Sequence, residues 1–167
     1  MLILGIDPGL QKTGWGLVEI NGNTLRFRRC GLIKTNAAHS TAQRLAFLHE
    51  GLSEIIKAHQ PQSAAIEETF VNTNALSALK LGQARGVLMA VPALFGLEVA
   101  EYAANTVKKS VTGSGHAAKN QIQMMVRRLL PACGPIGADE ADALAVAICH
   151  AHYGEWNKRT TKSKGAS

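Results

Sequence analysis

Asp7 closes an apolar run, Leu2-Ile3-Leu4-Gly5-Ile6, and Ser63-Ala64-Ala65-Ile66 runs into Glu67 in the same way. Burying a lone carboxylate without a partner costs several kcal/mol, so a strand that finishes on an acid must find it some compensation. Pro8-Gly9 and the glycines Gly14 and Gly16 let backbone come close, which makes a cation or a phosphate group near Asp7 plausible. The plain alternative is an aspartate that caps a turn. Glu68 follows Glu67 directly, and in a strand the two point to opposite faces, so only one can join Asp7 and spacing does not choose between them. Asp139 and Asp142 stand at i and i+3 at the start of a helical stretch, which places both on one face with Glu140 rotated away. Acids in a first turn also favour the helix dipole by about 0.3 to 1 kcal/mol each, which accounts for their being tolerated there.

Taken together, two strand-end acids and two first-turn acids would make an oxygen-only cluster. That donor set suits Mg²⁺ or Mn²⁺ rather than zinc. Two such ions roughly 3.5 to 4 Å apart would hold the attacking water and the leaving oxygen of an in-line phosphodiester displacement.

The elements that must position these acids are legible as periodicities. Leu2 to Asp7, Thr13 to Ile20 and Thr24 to Thr35 read as three strands joined by tight turns, Pro8-Gly9 and Asn21-Gly22-Asn23. Thr41 to His59 repeats Leu45, Leu48, Leu52, Ile55 and Ile56 at helical spacing, with Ser40 or Thr41 as cap and Pro61 as stop. Ala64 to Glu67 is a short buried strand, and Asn74 to Leu94 is a helix whose second half is apolar all round. Such a helix needs cover on two sides, from the core or from a second subunit, and Pro92 should kink or thin its last turns. Val99 to Tyr102 supplies a fifth strand. Gln121 to Leu130 is amphipathic, preceded by a flexible Thr112 to His116 loop, and a last helix runs from about Asp139 to His152 with Leu144, Ala145 and Ile148 inward. The order predicts an α/β fold with a five-stranded mixed sheet that opens on an antiparallel meander and is flanked by helices. Residues 1–153 form one domain, and 154–167 a basic tail expected to lack structure.

Composition bounds the function. With 167 residues, 46% hydrophobic and 18% charged, the chain has enough apolar material for a core without disulfides or a structural metal. The longest apolar stretch, Gly86 to Leu97, is too short to cross a bilayer and contains Pro92. The opening residues lack a basic leader and are expected to belong to the fold. Cys30, Cys133 and Cys149 show no CxxC spacing and read as plain thiols in a reducing cytoplasm. The formal charge is +6, and between Thr69 and Ala138 the acids are Glu98 and Glu101 against Lys80, Arg85, Lys108, Lys109, Lys119, Arg127 and Arg128. A surface built from that stretch attracts a polyanion and gains free energy by counterion release on phosphates; a merely solvated face is the alternative.

Gly5-Ile6-Asp7-Pro8-Gly9, Ala65-Ile66-Glu67, Ser77 to Val87 (SALKLGQARGV) and Ala138-Asp139-Glu140-Ala141-Asp142-Ala143-Leu144-Ala145, in this order, resemble the signatures of bacterial RuvC-type Holliday junction resolvases. The resemblance spans about Leu2 to His152. It implies a ribonuclease H-like fold, a homodimer, and symmetric nicking of four-way DNA junctions to leave 5′-phosphate and 3′-hydroxyl ends. It also implies Mg²⁺ as cofactor, two ions per active site, with Mn²⁺ able to substitute. Carried over position by position, Asp7, Glu67, Asp139 and Asp142 become the metal-binding catalytic acids, and Glu68 and Glu140 are left outside. Phe70 matches an aromatic that stacks on a base near the junction centre, with a core phenylalanine as the alternative. Lys108 and Lys119 match basic residues near the scissile phosphate, and Lys80 and Arg85 join them as expected DNA contacts. The Asn74 to Leu94 helix falls where the family dimerises. The resemblance further implies cytoplasmic partners, the RuvA and RuvB branch-migration proteins, and thymine-rich cleavage sites.

Weaker signals are set aside. His150 and His152, beside Cys149, sit at i and i+2 and diverge on a helix, and Gly113 to Lys119 is not a nucleotide-binding GxxxxGK[ST] loop. An actin-like phosphotransferase would need two lobes, and a pre-rRNA-processing nuclease would lack the Ser77 to Val87 match. A non-catalytic junction-binding module would need the basic surface without the acids.

Overall fold

The structure, a computed structural model, describes residues 1–68 and 74–164, with side chains described as far as residue 154. β1 (Leu2–Asp7), β2 (Lys12–Asn21) and β3 (Thr24–Lys34) form the expected meander, and β4 (Ser63–Glu67) and β5 (Val99–Tyr102) extend it. The sheet order is β3-β2-β1-β4-β5; β1 pairs antiparallel with β2 and parallel with β4, and β4 pairs parallel with β5. Five strands of mixed direction are thus arranged as the sequence predicts.

Alternation along the strands gives each face its own core. Leu4, Ile6, Trp15, Leu17, Ile33 and Ile66 pack against Leu48, Leu52 and Ile56 of α1 (Thr41–His59) and Ala84, Leu88 and Val91 of α2 (Ala75–Leu94). On the opposite face Ile3, Val18, Ile20 and Ala65 meet α3 (Ala104–Thr112), α4 (Lys119–Leu129) and α5 (Ala138–Lys164).

Local chemistry explains the helix limits. Ser40 Oγ accepts the Gln43 N–H at 3.3 Å while Gln43 returns its side-chain oxygen to the Ser40 N–H at 3.0 Å, a reciprocal cap built without an acid. Gln60 then leaves α1 in the left-handed region at φ 50°, just before Pro61. In α2 the effect of Pro92 is confined to the last turn, where the Phe95 N–H is shared between the Val91 and Pro92 carbonyls at 3.3 and 3.1 Å.

Two differences from expectation stand out. α3 is absent from the periodicity reading because it has nine residues, no side-chain cap at Ala103 and two buried apolar residues, Val107 and Val111. α5 continues past His152 to Lys164, through the segment expected to lack structure. That segment contains no proline and several good helix formers, so backbone propensity extends a helix the core has already nucleated.

α5 is the structural centre of its face, with every residue from Ala143 to Cys149 fully buried. Cys149 is buried, Cys30 and Cys133 are half-buried, and all three are free thiols. The His150 ring is engaged on both nitrogens, Nδ1 with the Tyr102 hydroxyl at 2.8 Å and Nε2 with Ser63 Oγ at 3.2 Å.

Candidate active site

Ile6 of β1 and Ile66 of β4 are parallel-strand partners, so the next residues, Asp7 and Glu67, finish neighbouring strands at the same end of the sheet. Adjacent strands lie about 4.8 Å apart. Asp7 alternates with Gly5 and Glu67 with Ala65, so both acids share the α5 face, whereas Glu68 turns to the other side and its N–H bonds the Tyr102 carbonyl at 2.8 Å. Of the two neighbours, it is Glu67 that the strand places on the face of Asp7.

The second pair of acids arrives on α5, and glycines set its height. A Cβ at Gly5 would stand 2.1 Å from the Ala143 carbonyl oxygen, one at Gly14 2.2 Å from the Asp139 carbonyl oxygen, and one at Gly16 2.7 Å from Leu144 Cδ2. Gly5 and Gly16 are cross-strand partners, and Gly14 is the partner of Asp7. The helix therefore lies directly on bare strand backbone and delivers Asp139 and Asp142 over the ends of β1 and β2. Room near Asp7 was expected for a cation or a phosphate; what fills the space beside Gly14 and Gly16 is this helix. The signal was present in the sequence, as glycines alternating on the acid-bearing face of two paired strands.

Electrostatics ties the acids into one neighbourhood. Burial, then repulsion from Asp142, Glu67 and Asp139, lifts the Asp7 carboxyl to about 8, with Lys119 opposing. Glu67 is raised by burial and by Asp142 against Lys108 and Lys119. Asp142 is raised by burial, which Lys119 and Lys108 oppose and Asp139 reinforces. The Lys119 ammonium lies 3.9 Å from Asp142 Oδ2 while its side chain stays mostly in solvent.

Among the described residues no three His, Cys, Asp or Glu side chains are drawn together as a metal-holding group. The chemistry of the four acids fits a hard divalent cation: every donor is a carboxylate oxygen, and the mutual repulsion is the kind a cation relieves.

The expected DNA contacts divide. Lys108 is half-buried on α3 and Lys119 exposed at the start of α4, both acting on the acid cluster. Lys80 is exposed on α2. Arg85 is committed within the chain: its Nε–H donates to the Glu67 carbonyl at 3.2 Å and its guanidinium pairs with Glu101. It braces the end of β4 from behind, a role that sequence position alone did not suggest. Phe70 lies outside the described residues.

A family model described as crossover junction endodeoxyribonuclease RuvC matches residues 3–150. Curated relatives with that description include those of Nitrobacter hamburgensis, 56% identical over 90% of this chain and 89% of its own, and Chelativorans sp., 57% identical over 90% and 88%. Among solved structures, Thermus thermophilus RuvC in complex with Holliday junction substrate superposes with a TM-score of 0.88 at 32% identity, covering 94% of this chain and 96% of that one. The yeast mitochondrial Holliday junction resolvase Ydc2 shares the fold at a TM-score of 0.64 and 13% identity.

Proposed function

The chain belongs to the crossover junction endodeoxyribonuclease RuvC family, and on that footing we infer that its acid cluster resolves Holliday junctions in recombination and repair by hydrolysing DNA backbone phosphodiesters. Membership disposes of the pre-rRNA-processing and non-catalytic alternatives. The observation that carries the assignment to residues is the convergence of Asp7 and Glu67 on adjacent strand ends beneath the start of α5.

Asp7, Glu67, Asp139 and Asp142 would hold the divalent cations, Mg²⁺ with Mn²⁺ as substitute and two per site, and the strand ends and the helix seat position these four side chains. Such cations supply the Lewis-acid charge that activates water and stabilises the leaving oxygen of an in-line displacement. Burial and the neighbouring carboxylates favour the protonated form of Asp7, a bias that a bound cation would oppose. Lys119 and Lys108 draw the reacting phosphate toward the acids and temper their repulsion. Phe70 and Lys80 supply further contacts to the junction.

Paired nicks on opposed strands need two such centres related by a two-fold axis. α2 supports a homodimer: Leu76 and Leu79 are 61% and 59% exposed on it, and no described residue stands within 4 Å of a Cβ at Gly82 or Gly86, so a second copy has both apolar surface and room for close approach. The RuvA and RuvB motor and a cytoplasmic setting complete the proposal; no described helix is long and apolar enough to cross a membrane. The decisive experiment incubates a synthetic four-way junction with the protein, with and without magnesium, and maps the cuts. Symmetric nicks that require magnesium and vanish in Asp7→Asn support the reading, and metal-independent cutting or an active Asp7→Asn overturns it.

A further inference from the structure

Lys12 and Lys34 are direct cross-strand partners, the first residue of β2 facing the last of β3. Both are exposed, and among the described residues neither pairs with a carboxylate. Partners in this position hold their Cβ atoms only about 5 Å apart, and like charges so placed are destabilising. A folded chain that keeps such a pair gains nothing from it alone.

Their location is specific. Lys12 is two residues from Gly14 on the same strand, hence on the same face and about 7 Å away along it, and Gly14 is the partner of Asp7. The lysines therefore project on the acid-bearing face, just past the acids, from strands rather than from α3 and α4. The turn that sets this distance is locked. A Cβ at Gly9 would stand 2.2 Å from the Lys12 carbonyl oxygen, and the buried Thr13 hydroxyl donates to the Gly9 carbonyl at 2.7 Å. On the other strand, Thr35 follows Lys34 and is held by its hydroxyl to the Leu10 carbonyl at 2.6 Å, while Arg44 donates to that hydroxyl at 2.9 Å. α1, which starts here, has no acid in its first turn and uses Gln43 for the reciprocal cap.

We propose that Lys12 and Lys34 form a cross-strand clamp for a DNA backbone phosphate one or two nucleotides from the scissile one, fixing the register of the cut strand over the acids. The clamp rests on the nuclease reading above and adds to it a second anchoring point for the cut strand, apart from Lys108 and Lys119. A phosphate bridging the two ammonium groups converts their repulsion into a paired site, so the cost in the free protein is returned as affinity.

The test measures binding of a labelled four-way junction in EDTA across a salt series, for the wild type, the double variant Lys12→Ala/Lys34→Ala and the double variant Lys12→Arg/Lys34→Arg. The alanine pair should bind about tenfold more weakly near about 100 mM salt, with the slope of log affinity against log salt shallower by roughly 1 to 2. The arginine pair should restore both. Thermal melting should show the alanine pair at least as stable as the wild type, which separates lost contact from lost fold. Affinity within twofold of wild type with an unchanged slope overturns the clamp, as does an arginine pair no better than the alanine pair. A wild-type protein that shows no preference for the junction over duplex overturns the nuclease reading itself, a result distinguishable from failure of the clamp.

Discussion

The carbonyl oxygen of Asp139 rests on Gly14, so close that a Cβ there would sit 2.2 Å from it. Gly14→Ala must push the start of α5 away from β2, because the obstructing atom is backbone and cannot rotate aside. Overpacking of this kind costs about 1 to 3 kcal/mol, and the displaced acids should lower nicking by more than tenfold while junction binding persists. Denaturant unfolding together with a cleavage time course checks both halves; an alanine variant that cuts at the normal rate would show the seat to be dispensable.

Asp7→Asn should abolish nicking and retain junction binding. It should also stabilise the metal-free protein at high pH. The folded-state value of about 8 lies above the ordinary 3.8. The stability tied to that carboxyl is therefore whole below pH 3.8 and is lost as pH climbs through 8, because the native state keeps a proton that the unfolded chain has released. An amide escapes that loss. After discounting for solvent screening and the coupled cluster, the gain at pH 8 is about 1 to 3 kcal/mol, or about 2 to 4 °C in Tm per kcal/mol. Melting curves at pH 5 and pH 8 should diverge for the two proteins more widely at the higher pH, since the loss accumulates between 3.8 and about 8.

Glu67→Gln and Glu68→Gln differ by one position and should differ by about a thousandfold in cleavage rate, on the scale of losing a principal electrostatic contribution to the transition state. Glu67 shares the face of Asp7, whereas Glu68 is turned from it with its N–H bound to Tyr102. Side-by-side single-turnover assays on one junction suffice. Equal activity in the two variants would mean that the pleat does not govern the site.

Lys119→Ala removes the ammonium 3.9 Å from Asp142 Oδ2. Cleavage should fall about tenfold, and the salt slope of binding should flatten by roughly 1, as expected for one lost phosphate contact. Competition binding at several salt concentrations reads the second quantity directly.

Arg85→Ala should behave differently from Lys119→Ala. Its guanidinium serves the Glu67 carbonyl and Glu101, so its loss should destabilise the fold by about 1 to 3 kcal/mol and slow cutting, with the salt slope of binding unchanged. A slope that drops would return Arg85 to the set of direct DNA contacts.

Much of this was legible in the chain. The α1 limits and the β5 limits match the periodicity, because strong apolar spacing coincides there with unambiguous punctuation, Ser40 and Pro61 for the helix. The acids announced themselves by sitting where burial is costly. What remained hidden depended on contacts between distant segments. α3, with only Val107 and Val111 buried, is a helix because α5 is beside it. Arg85 reads as one more cation in an acid-free stretch until β4 and β5 bring Glu67 and Glu101 to it. Gly14 and Gly16 read as space for a ligand, since no local pattern says that a helix more than a hundred residues later will occupy it. Lys12 and Lys34 became neighbours only through the strand register.

The contact of α5 with bare glycine backbone also bears on how this enzyme can diverge. Where two layers meet through side chains, each exchange of a larger for a smaller residue slides one against the other. Here the polypeptide itself is the spacer, with dimensions common to every protein, so drift in the surrounding apolar residues leaves the separation of the carboxylates nearly untouched. Sequence can wander across most of the interior while the chemistry stays in register.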